Sequence, residues 1–241
     1  MTKQRIDSLL VAKGLVESRA KAQALIMAGE VTVDGKVFIK SGTLVDDEAA
    51  ITILQPPPFV GRGGIKLDYA LDQFQLDVRS KVAADIGAST GGFTDCLLKR
   101  GVSRVYAVDV GYGQLDYSLR RDSRVVVIDR VNARYPFSLP EKIDLVTIDV
   151  SFISVEKVIP SVAELLKDNG CLIVLIKPQF EAGRREVGKG GVIKQPVVHA
   201  RVLGRFIAWI NAHSFRLGGL VASPILGASG NREFLVLLKL T

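Results

Sequence analysis

Apolar residues recur at helical spacing in two stretches near the start of the chain, and they alternate as in β-strands in the two that follow. These stretches span residues 5–13, 18–29, 31–38 and 51–53. Ser18 is a residue type that caps helix N-termini, and Asp34-Gly35 is a common hairpin turn. The pattern therefore predicts a small α+β domain within residues 1–55, made of two helices, a hairpin and one further strand.

From residue 65 onwards, short apolar strands alternate with helical patterns. The predicted strands are 82–86, 104–109, 124–128, 143–149, 171–176, 216–222 and 233–240, and the predicted helices are 65–75, 91–100, 154–167 and 196–212. Such alternation favours a mostly parallel sheet covered on both faces. Because only a loop separates the last two strands, we expect them to pair antiparallel. The predicted fold class is α/β with a seven-stranded, mostly parallel sheet and a terminal antiparallel hairpin, similar to Rossmann-like class I methyltransferases.

Residues 56–64 separate the two patterns. The segment reads Pro-Pro-Pro-Phe-Val-Gly-Arg-Gly-Gly, so three prolines that restrict φ precede three glycines that relax the backbone. This composition is typical of a linker that is stiff at its start and flexible at its end. We therefore expect two domains, residues 1–55 and residues 65–241.

Composition and charge narrow the classes of function. The net charge is +7, and the first 29 residues carry five bases against two acids, which favours a polyanionic partner for the N-terminal domain. No apolar run approaches the roughly 20 residues that span a bilayer, and the first residues lack an apolar signal-peptide core. The cysteines and histidines lack metal-ligand spacing. We expect a cytoplasmic protein without a metal, whose oligomeric state the sequence leaves open.

A glycine-rich loop, Asp85-Ile-Gly-Ala-Ser-Thr-Gly-Gly92, follows the first strand of the larger domain. Asp109 ends the second strand, where a carboxylate can accept both ribose hydroxyls of a nucleoside, and Asp129 ends the third, where it can meet the adenine amine. The spaced G-x-G-x-x-G of dinucleotide binders is absent, so S-adenosylmethionine is favoured over NAD. The alternative is that both aspartates are ordinary turn residues. The predicted cofactor-binding residues are Asp85, Gly87, Ala88, Ser89, Thr90, Gly91, Gly92, Asp109, Val110 and Asp129.

Four charged residues are the catalytic candidates. Lys66 lies in the first helix of the larger domain, Asp149 and Lys177 end strands, and Glu233 begins the last strand. A ribose 2′-hydroxyl must lose its proton as it attacks a methyl sulfonium, and a lysine whose ammonium form is disfavoured by burial and a neighbouring cation can take that proton. Methylation of a base would call for a nucleophilic cysteine or an Asn/Asp-Pro-Pro-Tyr-type loop, and the chain has neither. The alternative is a set of surface salt bridges, which would add little stability.

These residues belong to motifs that closely resemble the TlyA family, which is similar to FtsJ-like ribosomal RNA 2′-O-methyltransferases. The matching segments are 62–67, 85–95, 108–115, 149–153, 176–181 and 188–192. The first 55 residues resemble the alpha-L RNA-binding motif of a small-subunit ribosomal protein and of pseudouridine synthases. The linker and Gly61, where a serine is usual, depart from the family pattern.

The resemblance implies a Lys-Asp-Lys-Glu tetrad at the four candidates and cytidine 2′-O-methylation of ribosomal RNA, with ribosomal subunits as partners. It places RNA contacts on Arg5, Arg19, Lys40, Arg130 and Arg134. Charge alone adds Lys21, which we expect to hold phosphates together with Arg5 and Arg19.

Two competing functions remain from other classes. Some members of the family carry the name hemolysin, which suggests a membrane-active toxin, and a ribosome-binding factor could keep the fold without the activity. The segment 183–191 also has two interpretations: its bases Arg184, Arg185 and Lys189 either order over bound RNA or form a solvated loop.

Overall fold

The computed structural model describes residues 3–54, 57–183 and 186–240, including every side chain in these ranges except that of Lys189. The chain divides between Pro57 and Pro58 into two compact units. The two interpretations of the segment 183–191 depend on Arg184, Arg185 and Lys189. The first two residues and the side chain of the third lie outside the described residues.

The N-terminal unit combines two helices with two small antiparallel sheets. Its elements are β1 (Lys3–Arg5), α1 (Ile6–Ala12), α2 (Arg19–Met27), β2 (Val31–Val33), β3 (Lys36–Val37), β4 (Leu44–Asp46) and β5 (Ile51–Ile53). The sheets have the orders β3-β2-β5 and β1-β4. As predicted, the Ser18 hydroxyl caps α2 by accepting from the backbone N–H of Lys21 at 3.2 Å. The predicted elements are present, and the β1–β4 pair adds to them.

The second unit contains one sheet flanked by helices. Its strands are β6 (Val82–Ile86), β7 (Arg104–Val108), β8 (Val125–Ile128), β9 (Ile143–Ile148), β10 (Leu166–Ile176), β11 (Phe215–Ala222) and β12 (Phe234–Leu240). Its helices are α3 (Arg62–Gln73), α4 (Gly92–Lys99), α5 (Tyr117–Arg120), α6 (Ile159–Ala163), α7 (Pro178–Glu181) and α8 (Pro196–Ala212), with 3-10 turns at Val155–Lys157 and Lys189–Gly191.

The strand order is β11-β12-β10-β9-β6-β7-β8. Pairings among β10, β9, β6, β7 and β8 are parallel, while β12 lies antiparallel to both β10 and β11. Fully buried side chains cover both faces, such as Val146 and Ile148 on one and Leu145 and Ile173 on the other. This confirms the predicted seven-stranded α/β fold with a terminal antiparallel hairpin. The carboxyl ends of β6, β7, β9 and β10 all lie at one edge, where ligands bind in open parallel sheets.

Two elements differ from their predicted limits. The predicted helix 154–167 is a 3-10 turn followed by a helix that ends at Ala163, because Leu166 already pairs with Ile143 as part of β10. Helix α3 begins at Arg62, inside the predicted linker. Its glycine-rich first turn lies in close contact with the start of α4, so packing decides there over the weak helix propensity of glycine.

No helix in the described ranges combines the length and the apolar character that crossing a bilayer requires.

Candidate active site

The loop between β6 and α4 forms one wall of the site, and its backbone requires glycine at position 87. Gly87 has φ +82°, and a Cβ there would lie 2.4 Å from the carbonyl oxygen of Asp149. Because the obstacle is backbone, a side chain could be accommodated only by moving the end of β9. Within this loop Ser89 and Thr90 are exposed, whereas Ala88, Gly91 and Gly92 are buried.

Asp85 lies beneath this loop and has no exposed surface. Its carboxylate accepts hydrogen bonds from the hydroxyls of Thr94 at 2.7 Å and Thr147 at 3.1 Å. Burial raises the pKa of Asp85 to about 7, against the opposing effect of the two hydroxyls. This placement differs from the expected direct contact with a cofactor. Asp85 supports the loop from below by joining β6 to α4 and β9.

Asp109 links the glycine loop to the segment that follows β7. Its Oδ2 accepts from the backbone N–H of Ser89 at 2.8 Å, and its Oδ1 accepts from that of Gly111 at 2.7 Å. An ionised carboxylate has about four acceptor positions, so capacity remains for ligand hydroxyls. The Asp109 carboxylate is thus fixed in place at the carboxyl edge of the sheet.

A cavity of about 440 Å³ opens beside Asp109. Aliphatic side chains contribute much of its wall, among them Ile86, Val108, Val110, Val131, Val150, Ile153 and Val158. Its polar lining includes Ser89, Asn132 and Asp149. A flat apolar group with a hydroxyl-bearing ring attached suits this combination of walls.

Asp129, the residue predicted to meet adenine, is not among the residues that line this cavity. Its Oδ2 instead accepts from the backbone N–H of Gly113 and pairs with Arg120, both at 3.2 Å. The carboxylate therefore joins the segment after β7 to the last residue of α5. Asp129 thus fixes segments next to the cavity without lining it.

A second, more polar cavity of about 190 Å³ adjoins the first, and the two share Gly87, Ser89, Asp149 and Ser151 in their walls. The beginnings of α3 and α4 also line it, together with Lys177. A Cβ on Gly92 would lie 3.0 Å from the backbone nitrogen of Gly64 and 3.2 Å from the carbonyl of Gly61, so the two helix starts touch through main-chain atoms. Unpaired N–H groups at helix starts favour negatively charged ligand groups here.

The four catalytic candidates form two ion pairs. Lys177 Nζ lies 2.6 Å from Asp149 Oδ1, and both residues line the polar cavity. Lys66 Nζ lies 2.5 Å from Glu233 Oε2, and these two side chains are only 9% and 4% exposed. The pairs are neighbours, because Ile176 of β10 pairs with Phe234 of β12, so that Lys177 and Glu233 follow at adjacent positions of the two chain segments.

The Lys177–Asp149 contact has the separation of an ion pair but not the alignment of a hydrogen bond. Among the described residues, Asp149 Oδ1 has no partner in hydrogen-bond geometry. The Lys177 ammonium does form an aligned hydrogen bond, which it donates to the Ser151 hydroxyl at 2.9 Å.

Two site residues were missed by the sequence reasoning, Ser151 and Phe152. Both follow β9 in the motif Asp-Val-Ser-Phe, so the signal that placed Asp149 also places them beside the cavities. Phe152 is 91% exposed with φ +64°, and its ring packs on Phe180 with centroids 5.0 Å apart. An aromatic ring this exposed at the mouth of a cavity offers a surface for stacking a planar ligand.

The predicted RNA contacts of the N-terminal unit are arranged around a buried carboxylate. Asp7 has no exposed surface and accepts from Arg5 at 3.0 and 2.8 Å, from Arg19 Nε at 3.1 Å and from Gln23 at 3.0 Å. The hydrogen bonds from Arg5 lower the pKa of Asp7 well below its ordinary value, with smaller contributions from Gln23 and Arg19. The arginine side chains remain 43% and 55% exposed. Lys21 and Lys40 are also exposed.

Arg130 and Arg134 lie in the second unit, on the segment that follows β8. Arg130 has φ +64°, and its guanidinium lies 4.4 Å from the centre of the Tyr112 ring. Arg134 lines the larger cavity and lies 5.7 Å from the Tyr135 ring. Both arginines are exposed, so positive charge and aromatic surface occur together beside the cavity.

Comparison with known proteins agrees with this geometry. Residues 59–240 match the family described as FtsJ-like methyltransferase, and residues 4–51 match the S4 domain. Bacillus subtilis YqxC, a candidate rRNA methyltransferase by name, is 47% identical over 97% of this chain and 85% of its own. The 16S/23S rRNA (cytidine-2′-O)-methyltransferase TlyA of Mycobacterium tuberculosis is 43% identical over 98% of this chain and 89% of its own.

A solved structure from Streptococcus thermophilus, of a protein named as a hemolysin, is 41% identical with a TM-score of 0.75, over 100% of this chain and 90% of that one. The matched segments include the glycine loop, both ion pairs and the helix-rich start of the N-terminal unit. The chain therefore belongs to the FtsJ-like methyltransferase family and carries an S4 domain ahead of its methyltransferase domain.

Proposed function

We propose that this protein transfers a methyl group from S-adenosylmethionine to a ribose 2′-hydroxyl of ribosomal RNA, at a cytidine. The observation that supports this most directly is the position of Lys177 and Asp149 in the wall of a polar cavity that adjoins the cofactor-sized one. A hydroxyl needs a group that accepts its proton beside the methyl donor, and this pair offers one.

The residues present fit S-adenosylmethionine. The aliphatic wall and the fixed carboxylate of Asp109 suit its adenine and ribose, and the helix starts at the polar cavity suit its carboxylate. Asp85 and Asp129 lie outside the cavity walls and hold neighbouring segments. The residues of the predicted cofactor set that line the two cavities are Gly87, Ala88, Ser89, Thr90, Gly92, Asp109 and Val110. When bound, S-adenosylmethionine supplies an electrophilic methyl group on a sulfonium.

Lys177 is the residue we propose to accept the proton of the ribose hydroxyl. Its amine lies at the polar cavity, held between Asp149 and Ser151. The Lys66–Glu233 pair is buried beside it and keeps a second cation fixed near the site. A general base acts by taking the proton as the hydroxyl attacks the methyl group, so the place of the amine at the cavity is what the mechanism requires. The remaining contribution is the alignment of the hydroxyl with the methyl group.

RNA as the substrate is supported by both units. The S4 domain exposes the basic side chains of Arg5, Arg19, Lys21 and Lys40. The segment with Arg130 and Arg134 exposes two more basic side chains beside the larger cavity. The choice of ribosomal RNA and of cytidine rests on the relatives, one of which is named for this activity at 43% identity. We propose that residues 1–55 and 65–241 act as two modules joined by 56–64, and that the protein works on ribosomal subunits in the cytoplasm.

The test is methyl transfer from labelled S-adenosylmethionine to unmodified ribosomal subunits and to free rRNA, comparing the wild type with Lys177→Ala. Label recovered in dinucleotides whose linkage resists alkaline cleavage identifies the ribose as the target, because that cleavage needs a free 2′-hydroxyl. Lys142→Ala is a matched control, because Lys142 is exposed and donates to the carbonyl of Glu164 away from both cavities. The proposal expects label with the wild type and the control and none with Lys177→Ala. Cofactor binding without label on any ribosomal substrate would overturn the rRNA assignment.

A further inference from the structure

We propose that Ser151 is a positioning residue for the amine of Lys177, and that the buried side chain of Glu181 holds Ser151 in place. This inference rests on the proposed function, in which Lys177 takes the proton of the ribose hydroxyl. It adds two residues outside the two ion pairs that set the orientation of the Lys177 amine.

Direction at the amine comes from Ser151. A lysine ammonium has three N–H donors in a tetrahedral arrangement, and two close partners leave one position open. Here the partners are Asp149 Oδ1 at 2.6 Å and Ser151 Oγ at 2.9 Å. The contact with Ser151 has hydrogen-bond geometry, so the hydroxyl acts together with the Asp149 carboxylate to set the rotation of the amine.

Ser151 is also placed where the reaction must occur. It lines both cavities, as does Asp149, so it stands at their junction. Its side chain is exposed rather than packed in the core. A residue with no packing role at the meeting point of the two cavities can be changed with little effect on folding, which makes its contribution to the reaction measurable.

The turn that carries Ser151 is held from one side by aromatic packing. The next residue, Phe152, has φ +64°, a left-handed conformation that is uncommon for a bulky side chain and persists only when neighbours impose it. Its ring packs on Phe180 with centroids 5.0 Å apart. Phe180 belongs to α7, the helix that begins directly after Lys177.

Glu181 holds the backbone four residues further on from Ser151, where the 3-10 turn begins. It is 8% exposed, and its Oε1 accepts from the backbone N–H of Val155 at 2.9 Å. Its backbone carbonyl accepts from Arg205, which anchors the end of α7 on α8. The four-residue helix α7 therefore follows Lys177 directly, and its last residue holds the segment that leads away from Ser151 at Val155. Displacing the Glu181 carboxylate would change the position of Ser151 relative to Lys177.

The experiment measures single-turnover methyl transfer at saturating rRNA, with S-adenosylmethionine affinity by calorimetry, for Ser151→Ala, Ser151→Thr, Glu181→Ala and Glu181→Gln. We expect Ser151→Ala to slow transfer by about tenfold or more without changing cofactor affinity, since a misdirected base loses alignment rather than binding. Ser151→Thr keeps the hydroxyl and should restore most of the rate. Glu181→Gln keeps an acceptor for the Val155 N–H, so its transfer rate should stay near that of the wild type. Glu181→Ala removes the acceptor, so its transfer rate should drop as that of Ser151→Ala does.

The double variant Ser151→Ala/Glu181→Ala separates a shared role from two independent ones. If Glu181 acts through Ser151, the second change adds little to the first. A Ser151→Ala rate within about twofold of wild type, or a Ser151→Thr rate as low as that of Ser151→Ala, would overturn the inference, since rate effects of positioning are normally larger. Full transfer by Lys177→Ala would overturn this inference as well, because Lys177 would not be the base, whereas absence of label with the wild type would overturn the proposed function. Melting temperatures identify any loss of activity that comes from unfolding. If Glu181→Ala fails to fold, the comparison of Ser151→Ala with Ser151→Thr still tests the inference.

Discussion

Lys66 and Glu233, which are 167 positions apart in the chain, meet in a buried ion pair with Nζ and Oε2 separated by 2.5 Å. This contact joins the first helix of the methyltransferase domain to its last strand. Gly227 makes room for it, since a Cβ there would lie 2.3 Å from Glu233 Oε1. The pair thus ties the two ends of the domain together at the proposed reaction site.

Removing one partner of this pair should destabilise the domain strongly. For Lys66→Met we expect a loss of about 3–5 kcal/mol in the free energy of unfolding, because an unpaired carboxylate is left in the interior. Asp77→Asn breaks the exposed pair with Arg79 and should leave the free energy of unfolding nearly unchanged. Denaturant titration measures both. Similar losses for the two variants would mean that the Lys66–Glu233 pair is not desolvated in solution.

Substituting Gly87 should impair cofactor binding. Gly87→Ala places a Cβ against the carbonyl of Asp149 at positive φ. If the strain of about 1–3 kcal/mol falls on the bound state, S-adenosylmethionine affinity should drop by roughly 5- to 150-fold. Gly14 also has positive φ, +67°, with open space around it, so Gly14→Ala tests the backbone strain without the clash. Calorimetry should find unchanged cofactor affinity for Gly14→Ala, and equal effects of both variants would contradict the steric argument.

Asp85 should make the stability of the protein depend on pH. Burial raises its folded-state pKa to about 7, above the ordinary value of 3.8 that the unfolded chain restores. Between these values the folded state binds the extra proton, so stability should fall as pH rises from about 4 to about 7, by at most about 1.4 kcal/mol per pH unit. Above the folded pKa this contribution levels off.

The check is denaturant unfolding at several pH values with Asp85→Asn, which cannot ionise. We expect the variant to lose that part of the pH dependence while keeping polar contacts to Thr94 and Thr147. If the wild type and the variant follow parallel curves between pH 4 and pH 7, Asp85 is ionised throughout that interval.

Neutralising bases of the S4 domain should weaken RNA binding broadly. Arg19 uses only Nε toward Asp7 among its described hydrogen bonds, so its terminal nitrogens can contact phosphate. We expect Arg19→Gln to reduce affinity for all RNA sequences and to lower the salt slope of log K by about 0.7–0.9. Filter binding at several salt concentrations measures this, with Lys142→Gln as the control. An unchanged slope would remove Arg19 from the RNA-binding surface.

The sequence predicted the seven strands, the antiparallel hairpin and the convergence of the candidates, because each of these follows from local patterns and from the common edge of parallel strands. It could not reveal which candidates pair. Lys66 could have faced Asp149, and the choice of Glu233 depends on how α3 packs on β12. Likewise, the sequence predicted Asp85 as a ligand-binding residue. It could not show that the Asp85 carboxylate is turned toward Thr94 and Thr147, because these two partners come from other elements.

The contact between the starts of α3 and α4 has a consequence for how this enzyme can change. Gly61, Gly63 and Gly64 face Gly92 with no side chain between the two backbones. The spacing between the cofactor loop and the helix that carries Lys66 is therefore a property of the main chain alone. Replacing larger with smaller side chains cannot adjust this contact, because no side chains form it. A new substrate preference must therefore come from side chains elsewhere around the cavities, such as those of residues 151–155 and of the Arg130–Arg134 segment, while the distance between the two helix starts stays constant.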